Sequence, residues 1–185
     1  MELFEAIYGR ASVAKVKPDP VPRSSIEKLL SAAVQAPNHH RIRPWRFVVL
    51  TGAARSRLGE VMAHVMSKRE PATPDPVLDV ERAKPLRAPL IIAVGVDKPL
   101  APKVVDIENV CAAAAAVENL LLAAVGEGLA AMWRTGSAAY DPEIKTFLGL
   151  APDQHLIGFI YIGYPETARA LVERISFVDR TVWLE

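Results

Sequence analysis

Two histidines, two arginines and a tryptophan lie within one short stretch of the chain, residues 36–45. Pro37 and Pro44 restrict the backbone of the residues that precede them, which predicts a stiff loop between regular elements. Guanidinium, imidazole and indole groups give this loop a dense set of hydrogen-bond donors. Polar loops held by a rigid scaffold often bind ligands, although a solvated basic connector would have the same composition.

A second group of donors lies near the start of the chain, where Arg10, Lys15 and Lys17 accompany the hydroxyl of Ser12. A guanidinium can bind two phosphate oxygens at once, an ammonium adds a point charge, and a hydroxyl donates one further hydrogen bond. This combination of side chains suits a phosphate group. A solvated basic edge of the protein is the competing interpretation.

A third candidate is the sequence Trp133-Arg134-Thr135-Gly136, where an apolar stretch ends in polar residues and a glycine. A short buried strand that ends in this way would present polar groups at its end. The competing interpretation is a tryptophan in the core beside an arginine on the surface.

The sequence gives little indication of a metal site or of a reactive cysteine. His64 has no partner at the spacing of metal ligands, so we interpret it as a partly exposed helix residue. The single cysteine, Cys111, lies in an alanine-rich run and is predicted to be a buried, inert thiol. One cysteine excludes an intrachain disulfide and fits a reducing compartment, which favours a cytoplasmic location.

The composition bounds the class of protein. Its 185 residues suffice for a substantial core, so residues 1–185 are predicted to form a single domain. The formal net charge of +1 indicates neither a nucleic acid nor an anionic membrane as partner. The first residues have neither the basic start nor the apolar stretch of a signal peptide. No apolar run reaches the roughly 18 residues that would suggest a membrane-spanning segment.

Hydrophobic periodicity predicts the elements that would position these residues. Helices are predicted at residues 2–9, 25–35, 53–68, 107–125 and 141–148, and strands at residues 46–51, 89–96, 129–136 and 155–165. Ser24, Asp106 and Asp141 are candidate N-terminal caps of three of these helices. The first part of the proline-rich stretch 70–88 is interpreted as a mobile loop, and the residues around 79–84 as a helical turn.

The loop and the segment after the third strand both resemble the flavin-dependent nitroreductase family. Residues 36–45 are similar to the family's loop of the form Ala-Pro-Ser-Gly-Gly-Asn-x-Gln-Pro-Trp, without a gap. Asn38-His39 is closer still to a short subgroup that has Asp-His after Ala-Pro. Residues 133–136 match the form Trp-Arg-Ser/Thr-Gly of the same subgroup.

The start of the chain resembles the family's opening, Arg-Arg-Ser-Val-Arg, in which the first arginine and the serine meet the flavin. Arg10 and Ser12 match this pattern, whereas Ala11 and Ala14 replace the two further arginines. The backbone at Ala11 could still contribute a contact. Three stretches therefore match one family in order and spacing.

The resemblance implies an α+β fold with a central, mainly antiparallel sheet flanked by helices. It also implies an intertwined homodimer with two FMN molecules at its interface. Residues 10–12 would contact FMN from one subunit, and the loop and residues 133–135 would contact it from the other. The implied FMN-binding residues are Arg10, Ala11, Ser12, His39, Arg43, Trp133, Arg134 and Thr135.

Further charges would tune or hold the flavin. Arg43 stands where the family usually has glutamine, and a positive charge near the flavin's pyrimidine edge stabilises the reduced form. In the family a basic residue of the tail often contacts the phosphate, and Arg169, Arg174 and Arg180 are the candidates here. The apolar end of the tail would pack across the dimer interface.

The implied function is an FMN-dependent NAD(P)H oxidoreductase. NAD(P)H would reduce FMN, and the reduced FMN would pass electrons to a nitroaromatic, quinone or similar small-molecule acceptor in ping-pong order. The cofactor supplies this chemistry, so no residue is assigned as acid, base or nucleophile. Three alternatives remain: a flavin-storage protein with little turnover, a flavin-consuming enzyme of the same fold, and a basic binding module without flavin.

Overall fold

The computed structural model describes residues 2–167 and 176–185. The α-helices are α1 (Leu3–Gly9), α2 (Arg23–Ala33), α3 (Ala53–Arg69), α4 (Asp75–Ala83), α5 (Asp106–Gly126) and α6 (Pro142–Phe147). The strands are β1 (Trp45–Thr51), β2 (Leu90–Val96), β3 (Ala130–Arg134) and β4 (His155–Gly163). Short 3-10 helices lie at His39–Arg41, Lys84–Arg87, Ser137–Tyr140 and Val178–Arg180.

The four strands form one antiparallel sheet in the order β1-β2-β4-β3. β2 lies inside the sheet and all its residues are buried, which explains its continuously apolar sequence. Two isolated bridges, Ser12 to Ala131 and Val16 to Pro165, attach the segment after α1 to the free edge of β3 and the end of β4. The predicted α+β fold with a mainly antiparallel sheet and flanking helices is therefore confirmed.

Helices cover both faces of the sheet because side chains alternate along each strand. On one face α2 and α5 pack against a cluster that contains the fully buried Ile92 and Ile160. On the other face α3 and α6 pack against a second cluster, which contains Ile91 and Phe159. The sheet is thus the middle of three layers.

Helix α5 is buried on one side and exposed on the other. Ala113, Ala116 and Val117 are completely buried against the sheet. Ile107 is 61% exposed and Cys111 is also exposed. The prediction of a buried Cys111 is wrong, because an alanine-rich helix offers little polar contrast by which its inner and outer faces can be told apart.

By length and composition, α5 is long and apolar enough to cross a membrane, contrary to the expectation from the sequence. Half of the qualifying window is buried inside the fold, as in the core helix of a soluble protein, so this is weak evidence for a membrane span. No other helix in the described part of the chain passes the same test.

Two of the three helix caps predicted from the sequence are wrong. α2 begins at Arg23 without a side-chain cap, so Ser24 lies inside the helix, and Glu27 accepts a hydrogen bond from Arg23. Asp106 is the first residue of α5 instead of its cap. Its carboxylate lies 2.6 Å from Nε2 of His155, so a contact with β4 replaces the expected contact with the helix backbone.

Residues 70–88 contain α4 and a 3-10 turn, so the helical turn predicted near residues 79–84 is part of a longer helix that begins at Asp75. Residues 70–74, in the part interpreted as a loop, have no regular secondary structure. Pro74 and Pro76 lie at the N-cap and in the first turn of α4, where proline is compatible with a helix. α4 lies so close to α3 that a Cβ atom on Gly59 would be 2.1 Å from the carbonyl oxygen of Arg82. This packing makes α4 a wall of the cavity that contains the candidate site.

Candidate functional site

A cavity of about 290 Å³ lies beyond the end of β3, on the α3 face of the sheet. β3 and β4 supply its floor, and α4 with the following 3-10 turn supplies a wall. The turn after β3 completes it. The lining residues are Met62, Glu81, Lys84, Arg87, Arg134, Thr135, Gly136, Ser137, Ala138, Phe159 and Tyr161.

Arg134 and Tyr161 reach the cavity from adjacent strands. In the antiparallel register Arg134 is opposite Phe159 and Met132 is opposite Tyr161, so Arg134 and Tyr161 share one face of the sheet. The Arg134 guanidinium carbon lies 5.8 Å from the centroid of the Tyr161 ring. Nε of Arg134 donates to the sulfur of Met132 at 3.0 Å, and because sulfur is a weak, neutral acceptor the charge of Arg134 stays uncompensated.

The cavity carries an excess of positive charge. Lys84 forms an ion pair with Glu81, a carboxylate that is only 7% exposed. Arg87 makes no hydrogen bond or ion pair with any residue that the structure describes. Three cations and one carboxylate line the cavity among the described residues, so two positive charges remain available for a ligand.

Tyr161 places a phenol group in the same cavity. Its side chain is only 8% exposed. Burial raises the pKa of Tyr161, and the positive charges of Arg134 and Arg87 offset part of this rise. The hydroxyl therefore keeps its proton at neutral pH and can donate a hydrogen bond to a ligand.

Two backbone donors lie where β3 ends. Neither Thr135 nor Gly136 donates its N–H in a backbone hydrogen bond within the described ranges. Gly136 has a φ of 82°, a left-handed conformation that lets the chain turn sharply here. Unpaired N–H groups at a cavity are available to a ligand with acceptor atoms.

The segment that contains Arg10 and Ser12 lies beside β3 but does not line the cavity. Ser12 bridges to Ala131, and the N–H of Val13 donates to the carbonyl of Ala131 at 3.1 Å. Nε of Arg10 is 3.5 Å from Glu118 on α5. The start of the chain is thus positioned on the α5 side of the strand that delivers Arg134 and Thr135.

Trp133 points away from the cavity, as expected for the neighbour of Arg134 in a strand. Its indole Nε1 donates to the carbonyl of Ile157 at 2.9 Å. The ring lies so close to Gly158 that a Cβ there would be 2.5 Å from Nε1. This packing makes Trp133 a brace between β3 and the start of β4.

The loop with His39 and Arg43 lies at the start of α5. Nδ1 of His39 is 3.7 Å from Oε1 of Glu108. Arg43 is exposed, and its N–H donates to Oδ1 of Asn38 at 2.8 Å. His40, Arg41 and Arg43 have φ values of 52°, 54° and 55°, a strained conformation for residues other than glycine.

Within one chain, residues 10–12 lie beside β3, which carries Arg134, whereas the loop with His39 and Arg43 lies elsewhere, so the expected grouping of the loop with residues 133–135 is not found. His39 contacts Glu108 and Arg10 contacts Glu118, two positions that are ten residues apart on α5. At a rise of about 1.5 Å per residue, this spacing corresponds to roughly 15 Å along the helix. Arg134 and Thr135 both line the cavity, whereas His39 and Arg43 of the same chain do not line it.

The comparison with known families decides the class of protein. A family model described as the Nitroreductase family matches residues 7–164. The chain belongs to the nitroreductase family. The expectation from the three sequence motifs is confirmed at this level.

Relatives of this nitroreductase-family chain match it over nearly its whole length. "Putative NAD(P)H nitroreductase YdjA" of Escherichia coli is 30% identical over 167 residues, which are 90% of either chain. A nitroreductase-like family protein from Bacillus cereus has a TM-score of 0.86 at 25% identity, over 100% of this chain and 97% of that chain. The FMN-dependent nitroreductase NfnB from Mycobacterium smegmatis, in complex with NADPH, has a TM-score of 0.78 at 18% identity, over 98% and 97%.

Four charged or phenolic cavity residues of this nitroreductase-family chain were not predicted from the sequence: Glu81, Lys84, Arg87 and Tyr161. Lys84 and Arg87 lie just before β2, and this placement of basic residues before a buried strand was the available signal. Tyr161 was visible as the one residue with a polar atom in an otherwise apolar run. Of the tail arginines, Arg169 and Arg174 lie outside the described residues, and Arg180 is exposed.

Proposed function

We propose that the protein is an FMN-dependent NAD(P)H oxidoreductase that reduces a nitroaromatic, quinone or similar acceptor. The observation that supports this proposal most strongly is the set of unsatisfied donors at the cavity: the N–H groups of Thr135 and Gly136 and the guanidinium groups of Arg87 and Arg134. FMN has a flat ring with acceptor atoms along one edge and carries a phosphate, and both features need such donors. The FMN-dependent relative with bound NADPH has the same fold.

The chain's own residues would bind and orient the flavin. Thr135 and Gly136 would donate backbone hydrogen bonds, and Arg134 would offset negative charge. Lys84 and its partner Glu81 fix the wall of the cavity, while Phe159 and Met62 keep part of the lining apolar. When bound, FMN would take a hydride from NAD(P)H and supply electrons to the acceptor in a ping-pong sequence.

The proposal includes a homodimer, because a second subunit would complete the site. The outer face of α5 is apolar in part and unpaired, as the exposure of Ile107 and Cys111 shows. If two α5 helices crossed antiparallel about a two-fold axis near residue 113, Glu118 of one helix would face Glu108 of the other. Arg10 would then lie beside His39 of the partner subunit, and the two halves of the predicted site would meet.

Other surfaces support association between copies. Large apolar side chains are exposed on α1 and at the end of the chain, where Phe4 is 65% and Trp183 is 79% exposed. Patches of this kind in a folded chain indicate a protein interface. We propose that these apolar side chains pack across the dimer interface. A cytoplasmic location is a separate prediction, which rests on the sequence.

The two half-reactions test the proposed activity separately. Protein loaded with FMN is mixed anaerobically with NADPH or NADH, and bleaching of the flavin is followed by stopped-flow absorbance. The reduced protein is then mixed with 1,4-benzoquinone or 4-nitrobenzoate. Rapid bleaching followed by rapid recovery supports the oxidoreductase, and parallel double-reciprocal plots support ping-pong order. A flavin that neither nucleotide reduces would contradict the proposal and favour a storage protein.

A further inference from the structure

We propose that the hydroxyl of Tyr161 and the guanidinium groups of Arg87 and Arg134 form a subsite for an anionic oxygen group, a carboxylate or a phosphate, of an aromatic molecule in the cavity. The proposal deepens the proposed function, on which it rests for the identity of the two candidate ligands. It assigns the cavity a preference for ligand charge.

The first observation concerns Tyr161, whose side chain is more than nine-tenths buried. Its hydroxyl has no hydrogen-bond partner among the described residues, and the oxygen atom is not fully enclosed by the protein. The oxygen therefore opens into the cavity, which Tyr161 helps to line. A buried tyrosine hydroxyl normally has a partner, so a missing partner points to a ligand.

The second observation concerns charge and is independent of the first. Arg87 and Arg134 both line the cavity, and neither forms an ion pair with a carboxylate in the described part of the chain. Glu81, the one carboxylate among the described lining residues, is already paired with Lys84. Arg134 is half-buried, and a half-buried guanidinium without a counter-ion is costly to maintain, a cost that an anionic ligand would remove. Arg87 is exposed at the cavity and adds a second positive charge that would attract the same anionic group.

The remaining walls indicate what carries the anionic group. Phe159 and Met62 present apolar surface beside the three donors. An aromatic or otherwise flat apolar body would contact this surface while its carboxylate or phosphate met Tyr161 and the two arginines. Two molecules of the proposed reaction fit this description, namely FMN through its phosphate and an acceptor that carries a carboxylate.

The test uses two pairs of ligands that differ in one anionic group. Riboflavin lacks the phosphate of FMN, and 4-nitrobenzamide lacks the charge of 4-nitrobenzoate. Affinities of the flavin-free protein are measured by fluorescence quenching for the flavins and by calorimetry for the nitrobenzoyl compounds. The variants are Tyr161→Phe and Arg87→Gln, with Tyr140→Phe as the matched control because Tyr140 is 75% exposed and lies outside the cavity.

We expect both cavity variants to weaken binding of the anionic member of one pair by roughly ten- to hundredfold, the usual effect of losing a hydrogen bond to a charged group. The neutral member should change less than about threefold, and Tyr140→Phe should change neither. The pair that responds identifies the source of the anionic group. The subsite would be overturned if, in both ligand pairs, neither cavity variant changed the ratio of the affinity for the anionic ligand to the affinity for the neutral one.

The outcomes for the subsite and for the proposed function can be told apart. A protein that binds no flavin but distinguishes 4-nitrobenzoate from 4-nitrobenzamide through Tyr161 would keep the subsite and lose the proposed function. If the protein binds and reduces FMN, but neither cavity variant changes the anionic-to-neutral affinity ratios, the function would stand and the subsite would be excluded.

Discussion

The guanidinium of Arg134 lies over the ring of Tyr161, 5.8 Å from its centroid, and joins the last residue of β3 to the C-terminal part of β4. This contact holds at the cavity a positive charge that has no carboxylate partner among residues 2–167 and 176–185. It also places the charge beside the unpaired N–H groups of Thr135 and Gly136. The end of β3 is therefore prepared for a ligand by both side chains and backbone.

Removing the charge of Arg134 should weaken flavin binding. We expect Arg134→Met to weaken FMN binding by about 1.5–3 kcal/mol, since a hydrogen bond to a charged group contributes this much. Titration of flavin-free protein with FMN, followed by fluorescence, measures the change. Arg57→Met, on the exposed surface of α3, is the matched control and should bind FMN as the wild type does. Equal affinities in both variants would exclude Arg134 from the flavin site.

A side chain at Gly59 should separate α4 from α3. A Cβ atom there would be 2.1 Å from the carbonyl oxygen of Arg82, so Gly59→Ala should lower the free energy of unfolding by about 1–3 kcal/mol. Because α4 carries Glu81 at the cavity, FMN affinity should fall as well. Urea denaturation and FMN titration measure the two effects. Gly126→Ala is the control, since nothing lies within 4 Å of its added atom. Wild-type stability in Gly59→Ala would show that α4 is not packed this closely.

Burial of Tyr161 should make the protein sensitive to alkaline pH. Its pKa is raised, so the folded state keeps a proton that the unfolded chain releases near pH 10. The stabilisation is complete below about pH 10 and is lost as the pH rises through the folded-state pKa.

We therefore expect wild type to lose stability between pH 9 and pH 11.5 more steeply than Tyr161→Phe, in the range above the ordinary tyrosine pKa of about 10. Thermal unfolding across this range measures the difference. Tyr140→Phe, which removes an exposed hydroxyl, should follow the wild-type curve. Identical slopes for wild type and Tyr161→Phe would contradict the burial of this phenol.

A charge on the outer face of α5 should prevent dimer formation. We expect Cys111→Arg to be monomeric by light scattering, and to lose FMN, because the exposed face of α5 is proposed to bury against its partner. Ser56→Arg adds the same charge to the exposed surface of α3 and should remain dimeric. A Cys111→Arg protein that stays dimeric and keeps FMN would place the interface elsewhere.

The regular elements with strong local signals were predictable from the sequence. β2 was predictable because its apolar run is uninterrupted and a buried central strand requires one. α6 was predictable because Asp141 caps it, accepting hydrogen bonds from the N–H groups of Glu143 and Ile144. The prediction that Cys111 is buried was wrong because no local feature of the α5 sequence marks the outer face of the helix.

The candidate site was predictable only in part. Arg134 and Thr135 were identified through a motif at a strand end, and they do line the cavity. Lys84 and Arg87 were missed because the prolines around α4 suggested a loop, and only tertiary packing brings that segment against β3 and β4. The joint role of Arg10 and His39 depends on a second subunit, whose position no local pattern specifies.

The absorbance spectrum of the purified protein, recorded after addition of FMN and removal of free ligand by desalting, tests the central claim most directly. We expect the flavin bands to remain with the protein in about one equivalent per chain, and to be lost from Arg134→Met at the same protein concentration. A colourless protein after this treatment would contradict the assignment of the cavity to FMN and, with it, the proposed oxidoreductase activity.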